Sequence, residues 1–187
     1  MLGFMKKRKD INKISSTAII ARDEAVSEVY RQYAIFFEQD EISSPPLQLF
    51  FSKVYEKDSE NLAMKKSLLK TSDEQSAGAM SFDHMLNTAA YTAGFISGFL
   101  QRKKAPEAKM KKDNGLRYFS ICSAAYFHIF GEDYELMCNE QLAAIDKRDA
   151  NWMQLDKYGG IDGVRHADNQ PKQYGGLLLH YLKNNFP

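Results

Sequence analysis

Two apolar stretches, 85–100 and 116–130, separated by a polar, lysine-rich linker over 101–115, constrain this chain more than any other feature. The first, MLNTAAYTAGFISGFL, is apolar nearly all round a helical circumference, so it must be covered on every side. The second, LRYFSICSAAYFHIF, repeats that character over a similar length. Together they predict a central helical hairpin. As membrane spans each is about five residues short of the roughly 20 required. Asn87, Thr88 and Thr92 interrupt the first, and Arg117 and His128 the second. The expectation is therefore a pair of buried core helices with no integral membrane span. Ala90, Gly94 and Gly98, at four-residue spacing, form a small stripe suited to close helix contact.

Valine occurs only at 26, 29, 54 and 164, and no segment alternates apolar with polar residues as a strand would. Ala, Leu, Lys, Glu, Gln and Met fill most of the length, which predicts an all-α fold. The expectation is a single irregular domain of about six or seven helices spanning 15–187, preceded by a basic arm over 1–14. That arm, MLGFMKKRKDINK onward, lacks the apolar run of a secretory signal.

Helical periodicity places the first helix at 16–39, with Ile19, Val26, Tyr30, Tyr33 and Phe37 on one face and Ser15, Ser16 or Thr17 as its cap. Ser43-Ser44-Pro45-Pro46 breaks the chain, and amphipathic helices are expected at 47–57 and 59–69. A polar loop over 71–78 should precede a helix opening near Ser81 and Asp83. Pro106 and Asp113-Asn114-Gly115 mark turns in the linker. A helix over 132–157 should stop at Gly159-Gly160, followed by an irregular tract over 159–176 and a last helix over 177–185.

A long irregular tract inside a domain is a natural place for a site. Over 159–176 it would gather Asp162, Arg165, His166, Asp168 and Asn169. His166 could then act as a general base oriented by Asp162 or Asp168, with Arg165 holding an anion. No nucleophile motif accompanies them, and a polar surface loop closing turns on its own backbone explains the same residues. Gly159, Gly160 and Gly163 do not follow a strand or precede Lys-Ser/Thr, so they are not a phosphate loop. No two of the histidines, His84, His128, His166 and His180, stand four apart, and no Glu-x-x-His pair occurs, so no metal or other cofactor is implied. Cys122 and Cys138 are expected as buried free thiols, which favours a cytoplasmic setting.

The charge balance is near neutral, at +1 with 44% hydrophobic residues, but charge is blocked locally. Lys6 to Lys13 form one basic cluster, and Arg102, Lys103, Lys104, Lys109, Lys111, Lys112 and Arg117 another. Glu38, Asp40 and Glu41, then Glu132, Asp133, Glu135 and Glu140, form acidic ones. The basic clusters lack interleaved aromatics, and the pI of 7.7 gives no general attraction to nucleic acid, so nucleic-acid binding ranks last. The leading expectation is a non-enzymatic protein that binds another protein: an adaptor, an inhibitor or immunity-type factor, or a subunit of an assembly. The partner would offer an acidic surface or an apolar groove to Arg102, Lys103, Lys104, Lys109, Lys111 and Lys112, and to Tyr91, Phe95 and Phe99. A second copy of the chain is the variant of that reading. The alternative is an enzyme or small-ligand protein using His166.

Overall fold

The computed structural model describes residues 14–36, 74–109, 112–170 and 175–185, with the backbone alone for 74–81 and 112–113. The helices expected at 47–57 and 59–69, the Ser43–Pro46 break and residues 1–13 of the basic arm expected over 1–14 lie outside the described residues. The described elements, in order, are α1 (Ser16–Phe36), α2 (Glu74–Arg102), a 3-10 turn (Pro106–Ala108), α3 (Lys112–Phe130), a second 3-10 turn (Gly131–Asp133), α4 (Tyr134–Lys147), α5 (Ala150–Ala167) and α6 (Leu177–Asn185). The fold is all-α, with no strand among the described residues.

The centre is α2, buried on nearly every side from Asn87 to Leu100 as its all-round apolarity requires. Its main neighbour is not α3, the expected hairpin partner, but α5, which runs beside it from Asn87 to Arg102. The two helices run parallel: Asn151 Nδ2 donates to Asn87 Oδ1 at one end (2.8 Å), and Arg102 Nε donates to Asp168 Oδ1 at the other (2.6 Å). Between these ends the backbones touch through glycine. A Cβ on Gly94 would lie 1.8 Å from the Asp156 carbonyl oxygen, and one on Gly98 2.2 Å from that of Gly160. In the opposite direction, a Cβ on Gly159 would lie 1.9 Å from the Tyr91 oxygen, and one on Gly163 2.1 Å from that of Phe95. Spacing of four on each helix repeats the contact every turn, as small residues at a helix interface allow.

This contact corrects the expected stop at Gly159-Gly160 and the irregular tract beyond it. α5 runs through both glycines to Ala167, because the freedom each glycine costs in a helix, about 1 kcal/mol, is offset by the contact it permits. The expected helix over 132–157 is instead broken at Arg148, which takes a left-handed conformation (φ 52°). The amides of Arg148 and Asp149 close on the carbonyls of Ile145 and Ala144, and Asp149 then caps α5 by accepting from Trp152 N at 2.8 Å. Two further boundaries differ. α2 starts at Glu74 rather than after a loop over 71–78, since Glu74, Gln75, Ala77, Ala79 and Met80 outweigh Gly78. Asp113-Asn114-Gly115 belongs to the first turn of α3, where Asp and Asn are favourable.

α1 crosses this pair on a narrow face of Ala18, Ala21, Ala25, Val29 and Tyr33, all fully buried. Ile19 and Ile20, by contrast, are exposed, so alanines rather than the larger residues set its approach. Ser15 caps it, its Oγ accepting from Ala18 N (3.2 Å), while Ser15 N and Oγ both donate to the buried Glu107 (2.9 Å each) and fasten α1 to the linker. α3 lies against α2 through tyrosines, with Tyr118 and Tyr126 donating to the carbonyls of Ala93 (2.8 Å) and Ala89 (3.0 Å). Burial pushes the His84 imidazole down to about 4, so this core histidine is neutral at pH 7.

The glycine seam makes a sharp prediction. Gly94→Ala and Gly163→Ala should each destabilise the fold by on the order of 3 kcal/mol or prevent folding, since backbone atoms cannot move aside. Gly160→Ala, whose Cβ would find its nearest contact at 3.7 Å, should be neutral or stabilising by up to about 1 kcal/mol. Thermal or urea unfolding of the three variants checks this, and equal effects would contradict the seam.

Candidate functional site

Of the residues expected in an irregular tract, Asp162, Arg165 and His166 are set on the last two turns of α5, Asp168 is its C-cap and Asn169 lies in the turn beyond, and they divide among different tasks. Asp162 is buried beneath α6: its Oδ2 accepts from Tyr91 OH and from Leu177 N (2.8 Å each), and its Oδ1 from Arg165 (3.2 Å). Beside it, the buried Gln32 donates to Tyr91 OH (2.7 Å) and Glu28 Oε1 (2.9 Å), while its own Oε1 accepts from Leu179 N at 2.7 Å. Arg31 grips Glu28 with two hydrogen bonds (2.6 and 2.8 Å) and donates to the Gly175 carbonyl (2.7 Å). Gly176, at φ 108°, passes so close to the Gln32 amide that a Cβ would lie 2.2 Å from it. The entry to α6, which lacks a capping side chain of its own, is thus held by α1 and α5.

His166 does not form the expected dyad with Asp162 or Asp168. Its Nδ1 lies 3.1 Å from Glu24 Oε2 and its Nε2 3.3 Å from Glu28 Oε2, with the edge of Phe95 4.9 Å away between ring centroids. Sequence reasoning missed these partners because they stand on α1, some 140 residues earlier. The two carboxylates flank opposite ring nitrogens, and among the described residues no three such groups converge as a metal site would require. Asp168 pairs instead with Arg102, and the half-exposed Arg165 pairs with Asp162. Glu24 and His166, with Lys103, Asn169, Gln170 and Phe99, do line a cleft of about 500 Å³.

Burial pushes the Tyr91 phenol well above its ordinary value, with the negative charges of Asp162 and Glu28 adding to it; it stays protonated and donates to Asp162. The hydrogen bond to Glu28 raises the already basic Arg31. These groups make a closed network in which carboxylate, amide and phenol satisfy one another.

Tyr91, Phe95 and Phe99, expected to face a partner, are buried within the chain. Covering α2 takes α1, α3 and α5, so no second chain is required there. Lys103, Lys104 and Lys109 are exposed along the linker, Lys112 opens α3, and Lys111 lies outside the described residues. The two cysteines are free thiols: burial pushes Cys122 up to about 12, while Cys138 is half-buried.

The apolar surface left open lies elsewhere, between α3 and α4. Leu116, Phe119, Ser123 and Phe127 on α3 face Tyr134, Cys138 and Leu142 on α4 across a groove of about 1120 Å³. Leu116 is 70% exposed, Phe127 56% and Leu142 53%. At the turn, the Phe127 and Tyr134 rings meet edge to face at 5.6 Å. Position 116 to 127 on α3 spans about 17 Å, or three helical turns. Sequence reasoning saw α3 as wholly core; its two-sided apolarity was the available signal, and the structure uses one side only. Comparison with protein-family models, curated proteins and solved structures finds no match to this chain. Among the described residues no helix is long and apolar enough to cross a membrane.

Asp162→Ala should remove the acceptor of both Tyr91 OH and Leu177 N and cost about 3 kcal/mol. Amide hydrogen exchange at Leu177 and Leu179 should accelerate more than in α3. Unchanged protection of α6 would show that the network does not hold it.

Proposed function

We propose that this chain acts by binding another protein, and that the α3–α4 groove receives an apolar segment of that partner. One observation carries the reading: Leu116, Phe127 and Leu142, all more than half exposed, lie along a single groove rather than scattered over the surface. Single exposed apolar residues are ordinary, whereas a contiguous apolar trough is a feature of interaction sites. The cleft beside His166 supports an enzymatic reading less well. It has less than half the volume, and both ring nitrogens of its histidine already face carboxylates.

The linker lysines Lys103, Lys104 and Lys109 stand away from the groove lining and would add long-range steering toward an acidic partner surface rather than the apolar contact itself. Adaptor, inhibitor and assembly subunit are all consistent with one such groove.

Site-specific photocrosslinking in the native cells tests the proposal. A benzophenone side chain in place of Phe127 should give one discrete adduct with a second polypeptide. Leu142→Asp, at the far end of the groove, should abolish it, while Ile20→Asp, on exposed α1 surface, should leave it intact. An adduct indifferent to Leu142→Asp, or formed only within the chain, would overturn the reading.

A further inference from the structure

The groove's walls say what kind of segment fits it. Both walls are α-helices, whose backbone donors and acceptors are used internally, so they offer no unpaired strand edge to an extended peptide. An occupant buried against them must satisfy its own backbone, as a helix does.

Charge then distinguishes one end of the groove from the other. At the turn between α3 and α4, Glu132, Asp133 and Glu135 are all exposed, and Glu135 lines the groove itself. His128 is the basic neighbour there, on α3. At the open end, past Leu142, the acids Asp146 and Asp149 are balanced by Lys147 and Arg148. The lining residues of α3 include no carboxylate. The floor is therefore apolar, with a negative field at the turn end.

Resting on the protein-binding reading above, we propose that the occupant is an amphipathic helix of the partner protein, about three turns long, apolar on one face and carrying Lys or Arg at the end that lies over the α3–α4 turn. The apolar face fills the space over Phe119, Phe127 and Leu142. The cationic end meets Glu132, Asp133 and Glu135.

Two fluorescent 15-residue helical peptides test this on the full chain by anisotropy. They share one leucine face and differ only in carrying three lysines or three glutamates at one end. At low salt the lysine peptide should bind about tenfold tighter, and the difference should fall to within about twofold at 0.5 M salt. Glu132→Lys combined with Glu135→Lys should reverse the order. Leu142→Asp should abolish binding of both peptides; Leu116→Asp, at a still more exposed position, serves as the second variant should the first fail to fold.

Equal affinities that are both lost on Leu142→Asp would overturn the cationic helix and leave the groove as a protein-binding site. Binding that persists in Leu142→Asp and Leu116→Asp would overturn both. Sedimentation as a dimer that Leu142→Asp dissociates, with neither peptide binding, would assign the groove to a second copy and also overturn the proposal.

Discussion

The rest of the structure depends on the backbone contact between α2 and α5. Two parallel helices in one chain cannot be joined by a short turn, so the polypeptide must travel back before α5 can start. α3 makes that return, and α4 then leads to α5. Their position follows from where α2 ends and α5 must begin. The contact itself is close because Gly94 and Gly98 meet the carbonyls of Asp156 and Gly160 while Gly159 and Gly163 meet those of Tyr91 and Phe95. Side chains at these points would push the helices apart and open the core.

Close approach also explains why polar groups are buried where they are. Tyr91, one turn before Gly94, extends past α5 to Asp162, and Gln32 reaches the same point from α1. The resulting network substitutes for a cap at the start of α6 and ties four helices together. Burying Glu28 and Asp162 carries a desolvation penalty that Arg31 and Arg165 offset. Of the residues the sequence offers for catalysis, Asp162 and Arg165 belong to this clasp and His166 borders it through Glu28.

Several features were legible from residue order alone. Helical class followed from composition, the central place of 85–100 from its all-round apolarity, and the last helix from its leucines; Leu177–Asn185 is where the structure puts it. The four-residue stripe of Ala90, Gly94 and Gly98 was recognised as a contact surface. Its partner is not assignable from sequence, because glycine is both a helix stop and a helix contact, and the pair Gly159-Gly160 reads as a stop. The spacing of Gly159 and Gly163, equal to that of Gly94 and Gly98, was the discriminating clue. Arg148 was illegible as a break because a left-handed arginine leaves no compositional mark. The partners of His166 lie on α1, and only tertiary packing brings Glu24 and Glu28 to it. The groove escaped notice because the helix that borders it also supplies core residues.

The groove exists because α3 and α4 are a return path: their inner faces cover α2, and nothing in the α2–α5 pairing requires their outer faces to be closed. The most direct test of this account is the parallel register of α2 and α5 in the full chain, read by crosslinking paired cysteines with a short bismaleimide, with Cys138→Ser as background. Asn87→Cys with Asn151→Cys, and Arg102→Cys with Asp168→Cys, should each be bridged within one molecule. The crossed pairs, Asn87→Cys with Asp168→Cys and Arg102→Cys with Asn151→Cys, should not, since about 22 Å of helix separates the two ends. Crosslinking of the crossed pairs, or of neither set, would contradict the parallel glycine seam on which the fold rests.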